Sequence, residues 1–205
     1  FLLFGYDTGI VSGAMLKISK EYELSPFQHE LVVSATIALA VVGSVIGGRL
    51  TGRVGRRPVI HAAALVFTVG AFVMALAPGG GATRESGINC LLLGRMIVGL
   101  AIGLSTASVP MYVAEACLPE ERGKLVTANA MIIPMGQLVA CVLAAVLADV
   151  RGGWRWMLGL GGVPSVLQLV AFLYLPESPR WLMSKGRAED AAAALARLRG
   201  LAPDS

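Results

Sequence analysis

Two ionisable side chains stand where water is scarce. Asp7 lies in the apolar run FLLFGYDTGIVSGAML (1–16), and Arg95 lies in INCLLLGRMIVGLAIGL (88–104). A charge at the bilayer centre costs about 2.5–3.5 kcal/mol even on the lenient insertion scale, so it persists only facing a bundle interior or an aqueous cavity. An acid and a base, each alone in an apolar run, can compensate one another. From the residues alone two roles stand open. The pair is a buried structural salt bridge, or Asp7 is a proton-binding carboxylate. Burial strengthens a carboxylate's hold on a proton and a nearby Arg weakens it, so moving either group takes up or releases a proton.

Gln137 adds a neutral donor and acceptor to a third apolar run. It suits an interhelical hydrogen bond. It equally suits a polyhydroxylated ligand, because one amide accepts from one hydroxyl and donates to the next. Gln168 reads as structural. Other chemistries lack their residues. Cys90, Cys117 and Cys141 are scattered, and His29 and His61 lie far apart, so there is neither a disulfide framework nor metal-ligand spacing. The Gly-rich GLGGVP stretch (159–164) follows no strand, which removes a nucleotide-binding reading. No Ser–His–Asp or paired-carboxylate set stands out. No enzyme, no metal and no cofactor are expected.

Long apolar elements must position these groups. The chain has 205 residues, 56% hydrophobic and 15% charged, with mean hydropathy +0.72. Soluble domains are about 25% charged. Six spans are read, over 1–17, 30–50, 58–78, 88–115, 124–148 and 154–175, each able to cross a hydrocarbon core of about 30 Å. The chain starts inside an apolar run without Met, which reads as a fragment. After the sixth span come PESPRWL and an Ala-rich, amphipathic tail, too polar to span and expected at the membrane surface. Glycines recur four apart at Gly5, Gly9 and Gly13, at Gly43 and Gly47, and at Gly99 and Gly103. That spacing lets helices approach closely.

Lys and Arg set the orientation. One set of loops carries Arg49, Arg53, Arg56, Arg57, Arg122, Lys124, Arg180, Lys185, Arg187, Arg197 and Arg199; the opposite set carries only Lys17, Lys20, Arg84, Arg151 and Arg155. The richer side is expected to be cytoplasmic. The net charge of +4 therefore reflects topology and carries no nucleic-acid signal. With 1.5 Å per residue, Asp7 lies about 15 Å and Arg95 about 11 Å below the outer face, and Gln137 about 20 Å above the inner one. All three fall near the midplane, where transporter sites lie.

Four strings in order carry a resemblance: FGYDTGIVSGAM (4–15), GGRLTGRVGRR (47–57), GRMIVGLAIGLSTASVPMYVAEACLPEERGK (94–124) and PESPRWL (176–182). Together they resemble the sugar porter family of the major facilitator superfamily, nearest its proton myo-inositol cotransporters, across essentially the whole chain. The resemblance implies an all-α membrane protein. Residues 1–175 would be the six-helix amino-terminal half of a twelve-helix fold, built as two inverted three-helix repeats. Residues 176–205 would be the PESPR segment and the start of an intracellular helical linker.

It also implies roles. Asp7 and Arg95 match the proton-coupling pair, and Gln137 a substrate-hydroxyl ligand. Arg53, Arg56, Arg57, Glu115, Arg122, Glu177 and Arg180 match a cytoplasmic charge network that holds the outward-facing state. The family loop usually carries an acid where Gly52 stands here, so that acid's latch contact is not carried over. The expected function is proton-coupled symport of myo-inositol or a related sugar or polyol by alternating access. A hexose transporter, facilitative or proton-coupled, is the alternative within the family; a membrane-embedded enzyme or a scaffold is the alternative outside it. Expected partners are the sugar or polyol, the proton, membrane lipid and the carboxy-terminal half, and the expected location is the plasma membrane rather than an internal one.

Overall fold

The computed structural model describes residues 1–78, 84–117, 122–150 and 152–198, of which Arg122 and Val126 are described by backbone alone. Among these residues there are nine helices and no strand. They are α1 (Leu2–Glu21), α2 (Pro26–Val54), α3 (Arg56–Ala75), α4 (Arg84–Ala116), α5 (Arg122–Val146), α6 (Gly153–Gly159), α7 (Gly162–Tyr174), α8 (Pro179–Ser184) and α9 (Ala188–Leu198).

By length and hydropathy five stretches of the described residues can cross a membrane: α2, α3, α4, α5 and the run Gly153–Tyr174. The six spans read from the sequence meet five by this measure. The exception is α1, which is twenty residues long. Asp7 and Lys17, with Tyr6, Thr8 and Ser12, dilute its apolar run. The sixth expected span, 154–175, is not one helix. It breaks at Leu160 and Gly161 into α6 and α7. Pro164 explains the break, because proline has no N–H for the Leu160 carbonyl and its ring collides with that carbonyl in a continuous helix. The freed Leu160 oxygen accepts from Val163 N–H at 3.0 Å instead.

The glycine stripes set the packing. A side chain on Gly5 would meet the Ile133 backbone, and one on Gly9 would lie 2.8 Å from Ala140 Cβ. So α1 lies backbone-close to α5. A Cβ on Gly47 would lie 3.1 Å from Leu104 Cα, one on Gly99 2.9 Å from Thr36 Cα, and one on Gly103 2.7 Å from Gly43 Cα, which seats α2 on α4. In each three-helix run, then, the first helix packs on the second helix of the other run. α3 lies against α4 and α7.

The core joins Tyr6, Ile10, Met15, Ile18, Phe67, Met74, Leu91, Val98, Trp154 and Met157 from α1, α3, α4 and α6. Large apolar side chains also face outward, among them Ile37, Leu65, Phe72, Leu138 and Leu167. A soluble domain rarely tolerates so broad an apolar exterior, whereas lipid solvates it. The chain is a multi-pass membrane protein. At the end opposite the arginine-rich loops, Trp154 Nε1 donates to Glu21 Oε2 at 2.5 Å, and Arg155 stacks on the Trp154 ring at 4.2 Å.

Candidate functional site

Asp7 and Arg95 meet. Arg95 Nη1 donates to Asp7 Oδ1 at 2.6 Å, and the residues are 6% and 4% exposed. The helix packing explains the meeting. Gly94 lets α4 approach Met74 of α3, and Gly99, about one turn beyond Arg95, brings α4 onto α2 at Thr36. Asp7 sits about 200° around α1 from Gly9. The glycine face of α1 therefore meets α5 while Asp7 faces the other way.

Between α1, α2 and α4 lies a cleft of about 340 Å³. Asp7, Thr8, Thr36 and Arg95 are its polar lining residues, and Phe4, Ile37 and Ile102 are among the apolar ones that dominate it. Asp7 and Arg95 are the ionisable residues that line it. Removing one member of such a pair costs about 3–5 kcal/mol, because the other stays buried and uncompensated.

Gln137 occupies a different place. It is half-buried on α5, with its Cα 3.0 Å from where a Cβ on Gly9 would stand. It is not among the residues lining the Asp7 cleft.

A second constellation sits at the arginine-rich end. Arg56 Nη2 donates to Glu115 Oε1 at 2.8 Å, tying the start of α3 to the end of α4. Ser178 Oγ donates to the other Glu115 oxygen at 2.5 Å. Glu177 accepts from the backbone N–H of Arg56 at 3.0 Å, of Arg57 at 3.2 Å and of Ser178 at 2.8 Å. The Arg56 and Arg57 amides are otherwise unpaired amides at the start of α3, with the partial positive charge of the helix dipole behind them. Gly55 precedes that helix at φ +113° and offers no capping side chain, so Glu177 serves as the cap from outside. Arg57 turns the other way: its Nε and Nη2 donate to the carbonyls of Phe172 at 3.1 Å and Leu173 at 2.8 Å, closing the end of α7.

The expected network is thus partly assembled. Arg56, Arg57, Glu115 and Glu177 come together. Arg53 and Arg180 are exposed and form no ion pair among the described residues. The side chain of Arg122 lies outside the described residues. Sequence reasoning missed Ser178, Tyr112, which donates to Pro176 O at 2.9 Å, and Trp181, whose Nε1 donates to Gly52 O at 3.2 Å. For Ser178 a signal existed: Ser followed by Pro is a helix-start signature. Its side chain does cap α8, accepting from Trp181 N–H. Thr36 was also missed, and a lone Thr in an apolar run gives no signal.

Over residues 1–205 the sequence matches the family described as sugar (and other) transporter. The chain belongs to the sugar porter family of the major facilitator superfamily. Within that family, the proton myo-inositol cotransporter of Homo sapiens is 45% identical over 199 residues, which are 97% of this chain and 30% of that protein. The glucose transporter GlcP of Staphylococcus epidermidis is 41% identical over 191 residues, 93% of this chain and 41% of its own length. The partially occluded inward-open xylose transporter XylE from E. coli superposes with a TM-score of 0.87 at 29% identity, over 97% of this chain and 53% of that one. The chain thus spans less than half the length of the curated relatives it matches here.

Proposed function

We propose that this chain is the six-helix amino-terminal half of a secondary transporter that moves a proton together with a sugar or polyol, foremost myo-inositol. The observation that carries the reading is the 2.6 Å Asp7–Arg95 pair on the floor of a cleft. In the charged state Asp7 holds Arg95. A proton arriving on the Asp7 carboxylate removes that charge, frees Arg95 and changes which arrangement of the bundle is favoured. In this account α1 is the remaining span. Gln137 is the ligand this half offers to a substrate hydroxyl, and a carboxy-terminal half completes the sugar site. The cluster of Arg56, Arg57, Glu115 and Glu177 closes the cytoplasmic side, and the plasma membrane is the setting. The 45% identity to a protein named for proton and myo-inositol supports that substrate.

A hexose is the second reading, supported by the 41% identity to a glucose transporter. Competition decides between them. The full-length protein in liposomes, driven by an inward proton gradient, is expected to accumulate labelled myo-inositol and to be inhibited poorly by glucose. Accumulation of glucose with no response to myo-inositol selects the hexose reading. In the same assay Gln137→Ala is expected to weaken substrate affinity about five- to a hundredfold with expression intact, because a buried hydroxyl loses its partner. Unchanged affinity returns Gln137 to a packing role.

A further inference from the structure

At the arginine-rich end a second cavity, of about 550 Å³, opens between the start of α3, the PESPR segment and α9. Its ionisable lining is Arg57, Arg187 and Arg197 with Glu177 and Asp190. Local structure brings these groups together. Gly186, at φ +75°, turns the chain from α8 into α9 just before Arg187. Ala191 and Ala194 then seat α9 on Leu182 of α8. Asp190, Ala193, Ala194 and Arg197 follow at helical spacing, so one face of α9 forms a wall of the cavity. The acids are engaged within the protein. Glu177 accepts from three backbone amides, and Asp190 Oδ2 accepts from Arg187 Nε at 2.7 Å. The arginines keep donors free. Arg57 uses Nε and Nη2, Arg187 uses Nε, and the exposed Arg197 forms no ion pair among the described residues.

We infer that this cavity binds the phosphate of an anionic lipid headgroup, held by Arg187 and Arg197 with Arg57 behind them. Planar guanidinium forks match phosphate oxygens two at a time, and a phosphate has enough oxygens to serve several forks. The position selects a lipid as the source. Arg57 donates to the carbonyls of Phe172 and Leu173, the last turn of α7. Leu173 and Tyr174 there are 56% and 77% exposed on the outside of the bundle. The cavity therefore begins where the apolar exterior ends, at the level of the headgroups, on the side where basic pockets take anionic lipids. A headgroup seated there bridges α9 to α3 and reinforces the neighbouring cluster of Arg56, Glu115 and Glu177. The inference concerns binding and does not depend on proton coupling.

The test uses the full-length transporter in detergent and reads its unfolding temperature. Short-chain phosphatidylglycerol, short-chain phosphatidylcholine and inorganic phosphate are titrated in turn. Phosphatidylglycerol is expected to raise the unfolding temperature saturably, and phosphatidylcholine to leave it unchanged. Arg187→Gln combined with Arg197→Gln is expected to weaken the apparent affinity for phosphatidylglycerol about ten- to a hundredfold, the range for losing a charge-assisted hydrogen bond. Arg49→Gln combined with Lys124→Gln, two exposed cations outside the cavity lining, should change it by less than about twofold, since exposed charges are screened by salt. Equal losses in the two double variants would show diffuse surface attraction and overturn the site. A rise with inorganic phosphate equal to that with phosphatidylglycerol overturns the lipid as the source. No rise with any of the three overturns phosphate binding altogether. Should the Arg187 and Arg197 double variant not fold, Arg197→Glu alone decides in the same titration, with the same loss expected and a wild-type affinity contradicting the inference.

Discussion

Glu177 accepts hydrogen bonds from the backbone amides of Arg56 and Arg57 and pairs with neither guanidinium. A charge cluster at the end of a helix bundle invites a reading as salt bridges. Here the carboxylate instead neutralises the positive end of α3, 120 residues away in the chain from Arg57. One guanidinium turns to Glu115 and the other to the last carbonyls of α7. Helix ends and side chains are therefore cross-wired, so that α3, α4, α7 and the PESPR segment hold one another.

Glu177→Ala is expected to destabilise the bundle by about 0.5–2 kcal/mol, the range for loss of a helix cap. Glu177→Gln should recover part of this, since the amide oxygen still accepts. Thermal unfolding in detergent measures both. If Gln and Ala variants unfold together at the wild-type temperature, the cap contributes nothing.

Gly55 and Gly52 should respond oppositely to a methyl group. Gly55 adopts φ +113° and ψ 170°, a region costing other residues about 1–3 kcal/mol, and its Cβ would meet Glu177 Oε2. Gly52 lies in α2 with open space around it. Gly55→Ala should lower the unfolding temperature, while Gly52→Ala should leave it unchanged or raise it, alanine being the better helix former. Equal effects at the two sites would contradict the assigned cap geometry.

Glu115→Gln should loosen the arginine-rich end without unfolding it. Glu115 holds Arg56 with one oxygen and Ser178 with the other, and the Arg56 and Glu115 side chains are 12% and 10% exposed. Losing one charge-assisted bond shifts a balanced equilibrium about fivefold or more. Cys117, half-buried just beyond Glu115, is a ready reporter once Cys90 and Cys141 are replaced. Faster modification of Cys117 with slowed transport is the expected result. A wild-type modification rate with normal transport would show that these charges only orient the protein.

Much of the site was legible because membranes leave few options for charge. Asp7 and Arg95 announced themselves by standing alone in apolar runs, and the glycine spacing announced which faces would pack. Other features depended on geometry that no spacing encodes. The break at Leu160 followed from Pro164, whose effect was hidden inside an otherwise apolar stretch. The direction of Arg57, toward carbonyls rather than acids, depends on where α7 ends. Family resemblance placed Arg53 and Arg180 in the network, yet both side chains are exposed, as the absence of a nearby acid at position 52 allows.

The central claim is that Asp7 binds the transported proton, and one substitution tests it most directly. Asp7→Asn keeps the shape and removes the titratable charge. In liposomes holding the full-length transporter, an inward proton gradient should drive no uphill uptake of myo-inositol by this variant, while exchange down a gradient persists. Uphill, pH-dependent uptake by Asp7→Asn at the wild-type rate would contradict the account.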